Sequence, residues 1–325
     1  NGSESMRPSE AASPERILQR LEWQVIRPLD GQLQGDYRSL FYGYGIDLAD
    51  LREYQPGDDI RYIDWNVTAR MDTPYVRQYM EDREITAWFL VDLSPSMDFG
   101  ARADKRRVLV DLVGTVGRVL TRHGNRVGAI LYSGQANGRR DHRVERIIPA
   151  RNGRNHVLWL INDLLNQPRL PRAAPTDLRA MLEGGLLMFK KRSLVFVLSD
   201  FISVPGWERS LSLLSQRHEV LVVRLWDRSE VELPDVGPLW LEDAETGEQL
   251  YVDTHDPRFR ARFSEAVRSR EQALNAAFRR AGVQPWALST DEDLVRALVR
   301  FASIRRQMHR GRASLAGRPA TAGPG

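Results

Sequence analysis

"ITAWFLVDLSPSM", Ile85 to Met97, decides how this chain folds. Its first part is a continuous apolar run of strand length, and its second part turns abruptly polar. An apolar run of this kind marks a strand buried on both faces, as in a sheet covered by helices above and below. The polar end is more than a turn. Asp92 is followed at alternate positions by Ser94 and Ser96, placing three oxygen-bearing side chains at the point where the strand reaches the surface.

The same pattern repeats outward from this stretch. "NRVGAILYS", "SLVFVLSDF" and "EVLVVRLW" read as further strands, "VERIIP" as a short edge strand, and "VQPWALS" as a late one. Between them lie segments with apolar residues at helical spacing. "DKRRVLVDLVGTVGRVLTRHG" ends on Gly124 as a helix C-cap. "NHVLWLINDLL", "TDLRAMLEGGLLMF", "GWERSLSLLSQRH", "PRFRARFSEAVRSREQALNAAFRRAG" and "DEDLVRALVRFASIRRQM" are also helical. "PLWLEDAETGEQLYVD" reads as a hairpin turning at Thr246-Gly247. This alternation predicts an α/β fold: a doubly wound, mostly parallel sheet with helices on both faces. Ligands bind such sheets at the carboxyl ends of the strands.

Residues 84–310 are assigned to this domain and residues 16–83 to a smaller, partly β N-terminal subdomain that opens with a helix around "PERILQRLEWQV". Residues 1–15 and 311–325 read as disordered from their Ser, Pro, Gly and Ala content, with Met6 as the expected natural start. With 325 residues, 42% of them hydrophobic, the chain buries a substantial core. It contains no cysteine, which excludes disulfides, zinc knuckles and thiol catalysis. No apolar run approaches the ~20 residues of a membrane span, and the polar N-terminus lacks a signal-peptide core. A cytoplasmic location is expected. The net charge of +4 comes from 47 basic and 43 acidic residues that are interspersed along the chain. The densest basic run, "RFASIRRQMHRGR", reads as the solvated end of a last helix, so no nucleic-acid partner is expected.

Two strands end in polar clusters, "FLVDLSPSM" and "VFVLSDF", and a doubly wound sheet brings such ends to one rim. Asp92, Ser94, Ser96 and Asp200 are therefore candidates to converge, with Thr176 added from the loop before "DLRAML". Two carboxylates and three hydroxyls make an all-oxygen donor set, which suits Mg²⁺ or Mn²⁺ better than Zn²⁺. An equally ordinary reading makes these residues helix caps and turn formers. Spacing alone leaves both open.

"DLSPSM" resembles the Asp-x-Ser-x-Ser motif at the metal-ion-dependent adhesion site of von Willebrand factor A domains. More specifically, "LREYQPGDDIRYIDWNVTAR", Leu51 to Arg70, resembles the signature of a bacterial family known as domain of unknown function fifty-eight, and the likeness runs from about Gly35 through "LSTDEDLVRALVRF". Members of that family have a von Willebrand A-like domain and are typically encoded beside MoxR-type AAA+ ATPases. The resemblance implies Ser94 and Ser96 as direct metal ligands, Asp92 and Asp200 acting mainly through water, and Thr176 joining according to conformational state. It also implies a chaperone-like, metal-dependent protein-binding module. That module would act with a MoxR-type ATPase to assemble, mature or remodel a client whose acidic side chain completes the metal's shell.

The signature block holds Arg52, Glu53, Tyr54, Asp58, Asp59, Arg61, Asp64, Trp65 and Arg70 around a Pro56-Gly57 pair that fits a type II turn. One reading is a small subdomain held by ion pairs and aromatic packing. Others are a second partner surface or a further carboxylate metal site.

Enzymatic readings fare less well. A haloacid-dehalogenase-type phosphohydrolase needs a second acid two residues after its nucleophile, and that position is Ser94. Neither serine has the glycines of a nucleophile elbow. The six histidines form no His-Glu-x-x-His helix. "GYGIDLAD" carries only two glycines of a dinucleotide fingerprint, and there is no Gly-Lys-Ser/Thr phosphate loop. The chain is expected not to be an enzyme, the alternative being a metal-dependent phosphatase or nuclease using the same rim.

Overall fold

The computed structural model describes residues 13–33, 50–60, 63–71, 73–78, 84–100, 104–133, 146–169, 175–242 and 248–316. Residues 1–34 and 85–299 belong to one compact unit, and residues 35–84 and 300–325 to another.

The larger unit begins with α1 (Pro14–Leu21), which passes through a π turn at Glu22–Ile26 into α2 (Arg27–Leu33). Ser13 caps α1 by accepting from the Arg16 amide, and Pro14 fits the first position because its missing N–H would be unpaired there anyway. Ile17, Leu18, Leu21, Val25, Ile26, Leu29 and Leu33 are all buried. The sequence reading grouped this helix with the N-terminal subdomain. Instead it packs on two helices of the α/β unit, at Lys105–Arg122 and Arg154–Leu165. A Cβ at Gly114 would stand 2.9 Å from Leu21 Cδ1 and 3.1 Å from Ile161 Cδ1, so the helices meet closely at this glycine. The Arg118–Glu22 pair at 2.7 Å and the Arg20–Asp111 pair fix the same contact. The apolar stripe of α1 and α2 thus finds its partner across more than ninety residues of sequence, 91 for Arg20–Asp111 and 96 for Glu22–Arg118, which local reading had no means to assign.

The smaller unit contributes β1 (Asp50–Glu53), α3 (Trp65–Met71) and β2 (Tyr75–Gln78), with β1 and β2 antiparallel. The larger unit then continues with β3 (Thr86–Asp92), α4 (Lys105–Arg122), β4 (Arg126–Tyr132), β5 (Arg146–Arg151), α5 (Arg154–Leu165), α6 (Leu178–Met188), β6 (Leu194–Ser199), α7 (Trp207–Arg217) and β7 (Glu219–Trp226). After these come the antiparallel hairpin β8 (Pro238–Glu242) and β9 (Gln249–Asp253), then α8 (Pro257–Ala281), β10 (Trp286–Ser289) and α9 (Leu294–Ala316), whose residues from Arg300 on belong to the smaller unit. The hairpin turn expected at Thr246-Gly247 lies outside the described residues. Helix α9 runs to Ala316, past the point where composition suggested a disordered tail.

The main sheet has the order β10-β7-β6-β3-β4-β5, parallel throughout except for β5, which runs antiparallel on β4 at the edge. It is the expected α/β sheet. Alternation along the strands sends neighbours to opposite faces. Leu90, Val195, Val197 and Val222 join Met181, Leu182, Leu211, Leu214 and Phe278 in one core. Phe89 and Phe196 stack at 5.1 Å. Each fully buried aliphatic or aromatic side chain is worth about 1.5–3 kcal/mol relative to exposure, and β6 has all six residues buried. Among the described residues no helix is long and apolar enough to cross a membrane.

Strand β3 lies between β4 and β6. The chain leaves β3 toward β4 on one side and later returns to build β6 on the other. This is the switch point of the sheet, where loops leave in opposite directions and open a crevice at the carboxyl ends.

One residue tests how closely the sheet is packed. A Cβ on Gly128 of β4 would meet the Trp88 ring at 2.6 Å and the Ile148 carbonyl oxygen at 2.8 Å. The carbonyl belongs to the edge strand and has no rotamer to escape into. Gly128→Ala is expected to destabilise the protein by about 1–3 kcal/mol, read as a lowered midpoint in urea unfolding with an unchanged slope.

Candidate functional site

Strand β3 reaches its carboxyl end at Asp92, paired in register with Tyr132 of β4. Beyond it Ser94 precedes a single 3-10 turn, Pro95–Asp98, with Pro95 at its first position. Asp92 Oδ1 accepts from the Ser94 amide at 2.9 Å, which folds the loop back on the strand end. The Ser94 and Ser96 hydroxyl oxygens then lie 3.1 Å apart. The other Asp92 oxygen accepts from the Ser199 hydroxyl, across the strand boundary, at 2.6 Å. Asp92, Ser94, Ser96, Ser199 and Asp200 are all buried.

The β6 side is held by a residue in an unfavourable conformation. Phe201 has φ of 60°, the left-handed region that bulky side chains avoid. Its ring packs against Trp207 at 5.1 Å and Phe278 at 4.8 Å, so the core holds the turn in place. The Phe201 amide donates to Ser199 Oγ at 2.8 Å, and the Ile202 amide to Asp200 Oδ1 at 2.9 Å. Two residues on, the Ser203 hydroxyl and the Val204 amide both donate to the Thr176 carbonyl at 2.9 Å. The Asp177 amide donates to the Tyr132 hydroxyl at 3.1 Å. Thr176 is buried and so tied to the loop after Asp200 and, through its neighbour, to the end of β4.

Charge at this rim is unevenly met. The Lys105 ammonium bonds Asp200 Oδ2 at 2.6 Å and also pairs with Glu230. Burial works against the ammonium, yet the Asp200 and Glu230 carboxylates more than offset it and hold its pKa above the ordinary lysine value. Among the described residues Asp92 has no such partner. Burial, and then the negative charge of Asp200, push its carboxyl up to about 6 against the pull of the Ser199 and Ser94 hydrogen bonds.

Asp92, Ser94, Ser96 and Asp200 thus lie at the carboxyl ends of β3 and β6, and Thr176 is tied by its backbone carbonyl to the loop after Asp200. Ser199, Lys105, Glu230 and Tyr132 were not anticipated. A hydroxyl beside Asp200 in "LSDF" was a visible hint of Ser199. A lysine in the first turn of a helix, where the macrodipole disfavours cations, was a hint that Lys105 has a special partner. Glu230 and Tyr132 carried no local signal.

The signature block behaves otherwise. Gly57 takes φ of 112° and the Asp58 amide donates to the Gln55 carbonyl at 3.0 Å, as expected of a turn centred on Pro56-Gly57. The Asp58 carboxylate accepts from the Gln55 amide at 2.8 Å, while Asp64 caps α3 by accepting from the Val67 amide at 3.3 Å. Tyr54 is anchored through its amide to the Pro74 carbonyl, and Glu53 lies on β1. Trp65 is 69% exposed, against the expectation that aromatic packing holds this block. Asp59 and Arg70 are exposed, Arg52 is described only as part of β1, and Arg61 lies outside the described residues. Among the described residues no three His, Cys, Asp or Glu side chains gather as a metal site, which removes the carboxylate-trio reading of Asp58, Asp59 and Asp64.

Comparison with known proteins places these features in context. A family model described as "Protein of unknown function DUF58" matches residues 50–273. Uncharacterized proteins of Mycobacterium bovis and Mycobacterium tuberculosis are 36% identical over 291 residues, covering 89% of this chain and 89% of each relative. Solved structures to which the chain shows similarity include the conserved hypothetical protein BatB from Bacteroides thetaiotaomicron, at 10% identity and TM-score 0.39, covering 69% of this chain and 99% of that one. An aerotolerance-related membrane protein from Bacteroides fragilis aligns at 14% identity and TM-score 0.38, covering 70% of this chain and 97% of that one.

The elevated Asp92 carboxyl gives a signed pH dependence. Its folded pKa, about 6, lies above the unfolded value near 3.8. Folding therefore takes up a proton between these values, and stability from this group is present below about 4 and lost as pH rises through 6. In divalent-free buffer, the stability of the wild type relative to Asp92→Asn is expected to fall from pH 4 to pH 7. Urea unfolding at several pH values reads it, and a flat difference would show that the carboxyl is not perturbed.

Proposed function

The chain belongs to the DUF58 family, and from that premise we propose that it is a protein-binding module whose sheet rim holds a divalent cation, Mg²⁺ or Mn²⁺. The observation that carries this reading is Asp92, a buried carboxylate beside a second one and, among the described residues, with no cationic side chain bonded to it, on a loop whose Ser94 and Ser96 hydroxyls lie side by side. Two like charges kept out of water repel, and a hard cation is the counter-charge that oxygen donors accept. Ser94 and Ser96 would hold the ion directly. Asp92 and Asp200, whose oxygens already accept from protein donors, would act mainly through water. Thr176 would join from the adjoining loop.

When bound, such an ion supplies a positive centre with an open position for an acidic side chain of another protein. This chain's residues fix the donors beforehand: Ser199 orients Asp92, and the Phe201 turn orients Asp200. Among the described residues, the buried cation of the rim, Lys105, is committed to two carboxylates. A binder rather than a catalyst, as the family resemblance implies, is the reading we adopt. By the family resemblance, the partner we propose is a MoxR-type AAA+ ATPase acting with it on a client protein.

Calorimetric titration of chelator-stripped protein with Mn²⁺ tests the cation. One saturable site is expected, lost in the Asp92→Ala, Ser94→Ala double variant, with affinity falling as pH drops through about 6 and protons compete for Asp92. Equal heats from both proteins would sink the reading, and turnover of a generic phosphate ester that depends on Asp92 would favour a hydrolase.

A further inference from the structure

Lys105 breaks the local rules of its position. It opens α4 directly after the Asp104 cap, where the helix dipole repels a cation. Its side chain is wholly buried, where an ammonium is costly to desolvate. Two carboxylates from distant parts of the chain compensate: Asp200 at the end of β6, at 2.6 Å, and Glu230 in the 3-10 turn Arg228–Glu230 after β7. The second Asp200 oxygen accepts from the Ile202 amide. One of the two carboxylates that a rim cation would share is therefore already neutralised by a protein cation.

We propose that Lys105 is the resident counter-ion of this rim, holding Asp200 when no divalent ion is present and competing with that ion for the carboxylate. The inference rests on the cation reading above and deepens it. Asp92, Asp200 and Glu230 against one Lys105 leave a formal charge of −2 (−3 + 1), which a single divalent ion cancels. For the ion to draw on Asp200, the ammonium must give up that carboxylate and remain on Glu230, its second partner. The ion therefore binds against a built-in competitor. Its own affinity is low, and an incoming carboxylate from a partner protein adds the attraction that the rim alone does not supply. Lys105 also explains how two buried carboxylates coexist in a folded, cation-free protein: one is paired and only Asp92 is left exposed to repulsion.

Three variants of the full chain distinguish this role from a merely structural one, with Mn²⁺ as the probe in calorimetric titration and thermal melting. Lys105→Met is expected to lower the metal-free melting temperature yet bind Mn²⁺ at least tenfold more tightly. Glu230→Gln leaves the ammonium on Asp200 alone and is expected to bind Mn²⁺ several-fold more weakly. Arg106→Met, which removes the neighbouring buried cation paired with Asp98, is expected to leave Mn²⁺ affinity within about twofold. A structural lysine would instead make Lys105→Met and Glu230→Gln weaken binding together, and that result overturns the proposal. So does an equal tightening by Arg106→Met, which would mean a general field and not competition for Asp200. If Lys105→Met is unfolded in chelator, recovery of its far-ultraviolet circular dichroism on adding Mn²⁺ supports the proposal and absence of recovery overturns it. Wild type that binds Mn²⁺ with Lys105→Met no tighter defeats this inference alone. No binding by any of the proteins defeats the cation reading with it.

Discussion

The carboxylates of Asp92 and Asp200 leave adjacent parallel strands at the same end of the sheet, where water is excluded and like charges repel. Parallel pairing makes this juxtaposition unavoidable, because every strand delivers its carboxyl end to one rim. The surrounding residues answer the repulsion one contact at a time. Ser199 donates to Asp92, the Ser94 and Ile202 amides each take one carboxylate oxygen, and Lys105 neutralises Asp200. Hydrogen bonds to a charged acceptor contribute roughly 1.5–3 kcal/mol each, whereas an unpaired buried charge costs several. Asp92 therefore remains under electrostatic tension, visible in its raised pKa.

Geometry at the rim depends on the hydrophobic core behind it. A left-handed backbone at a bulky residue costs on the order of 1–3 kcal/mol, and removing a buried phenylalanine costs about 3–5 kcal/mol. The aromatic contacts of Phe201 with Trp207 and Phe278 outweigh the strain, so the core dictates the turn. That turn sets the direction of Asp200 and, through Ser199, of Asp92. Rim geometry and core packing are coupled here by three consecutive residues, Ser199 to Phe201.

The signature block offers a contrast. Its carboxylates at Asp58 and Asp64 are engaged in a turn and a helix cap, while its tryptophan stands in solvent. These polar side chains act locally within a short β1-α3-β2 unit. The exposed ring of Trp65 sets this block apart from the rim, where Asp92, Ser94, Ser96, Thr176 and Asp200 are all buried.

Much of this was legible in the residues themselves. The apolar runs ending in "VDLSPSM" and "LSDF" determined strand type, parallel pairing and the rim to which their polar ends come, because periodicity and burial are local properties of a segment. Gly124 and Pro56-Gly57 likewise marked a cap and a turn through their own backbone preferences. What tertiary structure alone decided were the encounters between distant segments: α1 and α2 on α4 and α5, Ser199 on Asp92, and above all Lys105 on Asp200 and Glu230. An ion pair spanning 95 residues leaves no periodic trace, since its energy comes from two side chains meeting in a shared dry space. The sequence by itself determined which atoms would reach the rim; only the folded chain decided which of their charges would be paired.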